Sequence, residues 1–372
     1  MIKVGITGQA GFIGTHLYNF LGIIKDTFIR IPFRDDYFQN IDKLEEFVRQ
    51  SDVIVHLAAL NRHNDPQAIY NTNIELVTKL IRAFESTGSK PHVIFSSSIQ
   101  EERENVFGKS KREGRELFAA WAEKNEALFT GLLIPNVFGP FGNPFYNSVV
   151  ATFSHQLTHN AEPSIEIDAQ LKIIHISDLI NTIYEVIKNK ISAKLFTVPY
   201  NSEVRVSEIL NKLKTFKTMY FEDGIFPDLD DRFEKNLFNT FLCYIDIENH
   251  FPAKLKVSTD SRGSFVETIK LTSGGQVSFS TTKPGITRGN HFHTRKAERF
   301  AVIKGKALIQ LRRIGTDKIM NFELDGSEPS YVDMPVWHVH NITNIGKDDL
   351  FTIFWINEIF NPEDADTYFE TV

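Results

Sequence analysis

A chain of 372 residues, 42% hydrophobic and 24% charged with a net charge of −6, has the balance of a globular protein with room for two domains. No run of lysine and arginine offers a surface to nucleic acid, and no apolar run approaches the roughly 18–20 residues that cross a bilayer. The single cysteine, Cys243, excludes an intrachain disulfide framework. The opening MIKVGITG enters a strand without signal-peptide design, so the expected compartment is the cytoplasm.

The first third alternates apolar runs with helical periodicity. Strands are expected at 2–6, 28–33, 52–60, 91–98 and 128–135. Helices are expected between them at 12–21, 41–50, 71–87 and 108–124. This order predicts an α/β domain, a doubly wound parallel sheet of Rossmann type with helices on both faces. A Gly/Pro/aromatic loop follows at 135–148, then helical stretches at 178–190 and 206–214. Residues of about 136–250 are read as a small substrate lobe. From about Val257 the texture becomes short strands with glycine turns, an all-β sandwich or barrel. The expected domains are 1–252 and 253–372.

Gly8, Gly11 and Gly14 form G-x-x-G-x-x-G between the first strand and the first helix. Glycines there let the backbone approach a pyrophosphate, whose charge then sits on the helix N-terminus. After the second strand the chain reads PFRDD, with Arg34 where an acidic residue would hold ribose hydroxyls. A guanidinium suits a 2′-phosphate, so NADP(H) is the expected cofactor. The bland reading is an exposed arginine neutralised by Asp35 and Asp36.

With HLAALNR and FSSSI, this stretch resembles the extended short-chain dehydrogenase/reductase family, whose members usually act on nucleotide-activated sugars. The resemblance implies cofactor contacts at Gly8, Gly11, Phe12, Ile13, Gly14, Arg34, Leu57, Ala58, Ala59 and Lys111. It implies substrate contact at Asn136. The family uses a serine and a Tyr-x-x-x-Lys pair, and Ser98 (beside Ser96 and Ser97) and Lys111 fall at those places. Phe107 stands where the family has its tyrosine, keeping the ring and losing the acid. Three readings follow: a reductase half kept as a scaffold, an active-site variant of a competent enzyme, or a proton supplied by another group or water.

Near the other end, GITRGNHFHTRKAERFAVIKG places Gly285, His291, His293, Glu298 and Gly305 at the spacing of the first cupin motif. Pro335, His340 and Asn344 match the second, with Trp337 in place of the usual glycine. In a strand His291 and His293 share a face. Three imidazoles and a carboxylate suit a divalent metal, zinc first, with iron, manganese and nickel sharing such ligands. The alternative is a metal-free cupin whose histidines act as base or bind substrate. His338 is a candidate fourth imidazole or base, and His291 and Tyr331 are other candidate bases.

The stretch DSRGSFVETIK, followed by QVSFSTT and TRGNHFH, is similar to nucleotide-sugar 3,5-epimerase cupins. That likeness implies sugar or diphosphate contacts at Arg262 and Arg288. A reductase-like domain fused to such a cupin resembles the CapF-type family of bifunctional capsular polysaccharide synthesis enzymes over essentially the whole chain. SSSIQ, FNTFLCYI, KPGITRGNHFH and WINEIFNP carry the likeness. It implies a UDP-linked 4-keto-6-deoxy-2-acetamido sugar, epimerised at C3 in the cupin and reduced at C4 with NADPH, on the route to UDP-N-acetyl-L-fucosamine. A homodimer is expected.

Overall fold

Six parallel strands build the N-terminal sheet of the computed structural model, which describes residues 1–261, 263–272 and 274–372. Their spatial order is Phe28–Ile31, Ile2–Thr7, Val53–His56, His92–Ser98, Phe129–Ile134, Ala193–Thr197. The middle strands are buried along nearly their whole length and apolar at their centres, as a sheet covered on both faces requires. Helices Phe12–Ile23 and Ile176–Lys188 pack one face around Leu17, Leu21, Ile180 and Ile183. Helices Ile41–Gln50, Pro66–Thr87 and Val106–Asn125 pack the other around Phe47, Leu80, Phe84 and Phe118. The doubly wound expectation holds.

Local signals set the helix ends. Asn40, Asp65 and Asn105 each accept a hydrogen bond from a first-turn N–H as N-caps. Asp65–Pro66 starts its helix ahead of the expected 71. A small sheet of Asn136–Phe138, Gln170–His175 and Ser202–Arg205 lies where only loop and helix were expected. Asn136–Phe138 is too short to show a period, and QLKIIH and SEVR mix charged and polar residues with apolar ones, without the apolar run that marks the central strands.

By packing, the chain forms two units. The first is Met1–Phe138, Phe145–Ser148 and Gln170–Val204, and the second is Gly139–Pro144, Val149–Ala169 and Arg205–Val372. Residue 253 marks the change from helix to strand, while residues 205–252 pack with the strands that follow.

Two antiparallel five-stranded sheets face each other in the second unit. One holds Ala253–Lys254, Ser330–Met334, Glu298–Lys304, Leu350–Ile356 and Gln276–Thr282. The other holds Ile319–Asp325, Lys306–Arg313, His338–Asn344, Thr287–Phe292 and Tyr368–Phe369. Phe300, Val302, Ile309, Leu311, Val332 and Ile342 fill the space between them. This is the cupin type of barrel expected from the motif spacing.

Arg299 fastens the helical segment to the barrel. It is 2% exposed and bonds both carboxylate oxygens of Asp333, its cross-strand partner, at 2.7 and 2.9 Å. Its guanidinium lies 3.6 Å from the Tyr331 ring centroid and 4.6 Å from that of Phe226. The Tyr220 hydroxyl donates to Asp333, and Phe226 packs on Trp355. Removing one ion strands the other without water. Arg299→Met is therefore expected to cost about 3–5 kcal/mol in denaturant unfolding, and Arg299→Met with Asp333→Leu to recover most of it. Equal destabilisation by the single and double variants would show the pair is not the cause.

Candidate functional site

In the first unit the glycine loop is shaped for close approach. Gly8 has φ of +70°, and a Cβ there would lie 2.7 Å from the Ala58 nitrogen. A Cβ on Gly14 would lie 2.2 Å from the Gly8 carbonyl oxygen. Gly11 caps helix Phe12–Ile23 without a side chain, so the first-turn N–H groups of Phe12, Ile13 and Gly14 face outward for an anion. Leu57 and Ala58 donate to the Thr7 carbonyl and hydroxyl at 3.1 and 3.4 Å, which holds the Leu57–Ala58–Ala59 turn against the glycine loop. Arg34 lies just past the second strand, exposed, with Asp36 at 3.3 Å. So exposed a pair holds its partner weakly, and the guanidinium stays available to a phosphate.

The end of the fourth strand distinguishes its serines. Ser96 donates to the His56 carbonyl at 3.1 Å, and Ser97 donates to Glu101. Ser98 instead accepts from the Gln100 N–H at 3.2 Å, which leaves its own proton to give. Phe107 sits in the first turn of helix Val106–Asn125, and Lys111 follows one turn on. The Lys111 ammonium lies 5.7 Å from the Phe107 ring centroid and 5.0 Å from that of Phe95. Lys111 is 5% exposed and has neither hydrogen bond nor ion pair among the described residues. Burial pulls it from the ordinary 10.5 down to about 8. Asn136 is exposed at the start of its short strand and donates to the Lys172 carbonyl at 3.2 Å.

The sequence reading missed Glu101. It is buried, forked to Arg115 at 2.8–3.1 Å, and its carbonyl accepts from Arg112. It pins the loop after Ser98 to the helix of Lys111. A lone glutamate in EERE offered no spacing to reveal this.

In the second unit His291, His293, Glu298 and His340 bring one ligand atom each within 4.8 Å of one another. The Glu298 Oε2 lies 2.9, 3.3 and 3.9 Å from the Nε2 atoms of His340, His293 and His291. The Nδ1 of His293 donates to the Asp366 carbonyl at 2.5 Å, and that of His340 to the His338 carbonyl at 3.1 Å. Each backbone bond turns an Nε2 lone pair toward the centre. His293 Nε2, His340 Nε2 and Glu298 Oε2 are buried and lack hydrogen-bond partners among the described residues. Three orphaned polar atoms converging on one point fit a divalent cation with nitrogen and oxygen ligands.

A bulge sets the next residue. Strand Thr287–Phe292 shifts register between Gly289 and His291, with Asn290 at φ of +58°. Arg288 pairs with Ile342 and His291 with His340, two positions apart on the partner strand, so Arg288 and His291 share a face. Without the extra residue they would oppose each other. Gly289 permits the crossing, since a Cβ there would lie 2.8 Å from the His340 carbonyl oxygen. Arg288 is exposed. Arg262 lies outside the described residues.

Two of the candidate bases lie elsewhere. His338 is outside the ligand group, buried against the Phe141 ring at 5.8 Å and lowered to about 4 by burial. Tyr331 faces Arg299, on the opposite side of its sheet from Glu298. Asn344 closes a turn, donating to the Thr282 and Asp348 carbonyls at 2.8 and 2.9 Å.

A parallel sheet with a glycine crevice and a barrel with a histidine–carboxylate group place the chain among proteins that join a Rossmann-type unit to a cupin-type unit. Residues 4–198 match the NAD dependent epimerase/dehydratase family, and residues 258–368 match the polysaccharide biosynthesis C-terminal domain. The chain is 33% identical over 370 residues to a UDP-2-acetamido-2,6-beta-L-arabino-hexul-4-ose reductase of Pseudomonas aeruginosa, covering 99% of this chain and 98% of the relative. It is similar to the crystal structure of the capsular polysaccharide assembling protein CapF from Staphylococcus aureus, with 34% identity, TM-score 0.63 and full coverage of both chains. RMD from Pseudomonas aeruginosa, solved with NADPH, shares the fold over 59% of this chain and 83% of RMD, at 18% identity and TM-score 0.53. The chain belongs to the CapF-type family of nucleotide-sugar reductases for polysaccharide biosynthesis.

Lys111 ties site to stability. Between pH of about 8 and 10.5 only the unfolded chain holds this proton, so stability rises with pH across that window. Lys111→Met is expected to flatten that rise and to stabilise the fold at pH 7 by something on the order of 1–3 kcal/mol. Urea titrations at pH 7 and 10 check this, and a destabilised variant at pH 7 would contradict it.

Proposed function

We propose that the chain is a bifunctional nucleotide-sugar enzyme. Its barrel epimerises C3 of a UDP-4-keto-6-deoxy-2-acetamido sugar, and its Rossmann unit then reduces the C4 ketone with NADPH. The product serves capsular or O-antigen polysaccharide by way of UDP-N-acetyl-L-fucosamine. The observation that carries the reading is the four-residue ligand group with its three orphaned atoms. The hexul-4-ose reductase name of the Pseudomonas relative supports the substrate class. A homodimer in the cytoplasm completes the proposal.

The C4 ketone acidifies the C3 proton. Its removal leaves an enediolate, and reprotonation from the other face inverts C3. A divalent ion, zinc first, held by His291, His293, Glu298 and His340 would supply Lewis-acid stabilisation of the oxyanion when bound. Arg288 adds a positive charge on the same face as His291 for the diphosphate or the oxyanion.

In the first unit the glycine loop takes the pyrophosphate and Arg34 takes the 2′-phosphate. Hydride passes from the nicotinamide to sugar C4, and a proton must reach O4. Ser98 has its hydroxyl hydrogen to offer toward that oxygen. With Phe107 in the tyrosine place, that proton is assigned to the Lys111 ammonium, 5.7 Å from the Phe107 ring centroid and poised at about 8. A second reading, epimerase activity with a silent reductase, is favoured by Phe107 alone.

Absorbance of NADPH with the keto-sugar tests the first unit. Phe107→Tyr is expected to oxidise NADPH about 10²–10⁴ times faster than the parent. No acceleration would show that Phe107 is not what limits reduction. In D₂O without NADPH, the barrel is expected to place deuterium at C3, and a substrate recovered with only protium there would sink the epimerase reading.

A further inference from the structure

The histidine–carboxylate group is spread over three strands and a loop. His291 is the next-to-last residue of one strand, Glu298 begins another, and His293 lies in the loop between them. That loop, 293–297, has no strand pairing of its own. Its backbone is held from a distance of some seventy residues along the chain, about 72 from Thr294 to Asp366.

Asp366 supplies most of the hold. Its carboxylate accepts from the Thr294 N–H at 3.2 Å, the Thr294 hydroxyl at 2.6 Å and the Arg295 N–H at 3.0 Å. Its carbonyl accepts from His293 Nδ1. Both ends of one residue reach the same loop because Asp366 takes φ of +44°, a conformation Asp tolerates better than most side chains. Neighbours add to the strap: the buried Lys296 ammonium donates to the Ala365 carbonyl at 2.7 Å, and Arg295 pairs with Asp364 at 2.8 Å. Asp366 itself is 5% exposed.

We infer that Asp366 is a positioning residue for the metal site. Its carbonyl fixes the tautomer that presents His293 Nε2 to the ion, and its carboxylate keeps the loop from drifting. The C-terminal strap is thus part of the ligand cage although it donates no ligand. This rests on the barrel holding a divalent ion. Outer partners of ligating histidines are worth about 10–100-fold in metal affinity, which sets the expected size.

The experiment titrates zinc into metal-free full-length protein against a chromophoric chelator. Asp366→Ala keeps the backbone carbonyl on His293 but releases the loop from the carboxylate, and is expected to bind zinc more weakly by up to about 10–100-fold, with Asp366→Asn, which keeps one acceptor oxygen, between it and the parent. Glu370→Ala, further along the strap and paired with Arg312, is expected to bind as the parent does. His293→Ala calibrates the loss of a direct ligand. If Asp366→Ala and Asp366→Asn bind like the parent while His293→Ala is weakened, the positioning role is wrong. A parent that binds no zinc, iron, manganese or nickel overturns the metal reading itself, a different result. Should Asp366→Ala fail to fold, Asp366→Asn decides alone.

Discussion

One strand, Glu298–Lys304, holds the second unit together and arms it. Side chains alternate along a strand, so neighbours face opposite ways. Glu298 points into the barrel among three imidazoles, and Arg299 points outward against Asp333, Tyr220 and Phe226. The inner charge lacks a full set of partners. The outer charge is fully paired and clamps the helical segment to the sheet. A register slip of one residue would exchange the two environments and destroy both.

The first unit carries a parallel tension. Its ammonium at Lys111 is buried beside two phenyl rings, with no counter-ion in contact among the described residues. Such a group costs stability, and groups of this kind gather where chemistry is done. Glu101 is close enough to raise Lys111 slightly, but its carboxylate is spent on Arg115 and Ser97. The loop after Ser98 is held firmly while the lysine is left available. In both units the functional charge is unmet and the structural charge beside it is paired.

Much of this was legible from residue order. The glycine loop, the alternation of apolar strands with helices, and the spacing of His291, His293, Glu298 and His340 are local patterns with strict periods. Other features were hidden because they depend on distant contacts. The bulge at Asn290 turns Arg288 toward the face of His291, and no residue type announces it. Tyr331 reads as a reactive phenol until its strand pairing places it on Arg299. His338 shares a strand with His340 but lies outside the ligand group. Asp366 reaches back to Thr294 across a gap that no motif spans. The third strand ends at His56, short of the expected 60, because Leu57 and Ala58 leave the sheet to line the glycine crevice.

On the proposed function, the barrel uses a bound divalent ion to exchange the C3 proton of a 4-keto sugar nucleotide. The direct test is deuterium incorporation at C3 in D₂O, measured on metal-stripped protein before and after divalent metal is restored. Negligible exchange is expected in the stripped protein, and recovery with about one ion per chain, as a single four-ligand site requires. Full exchange in stripped protein, or none after reconstitution, would contradict it.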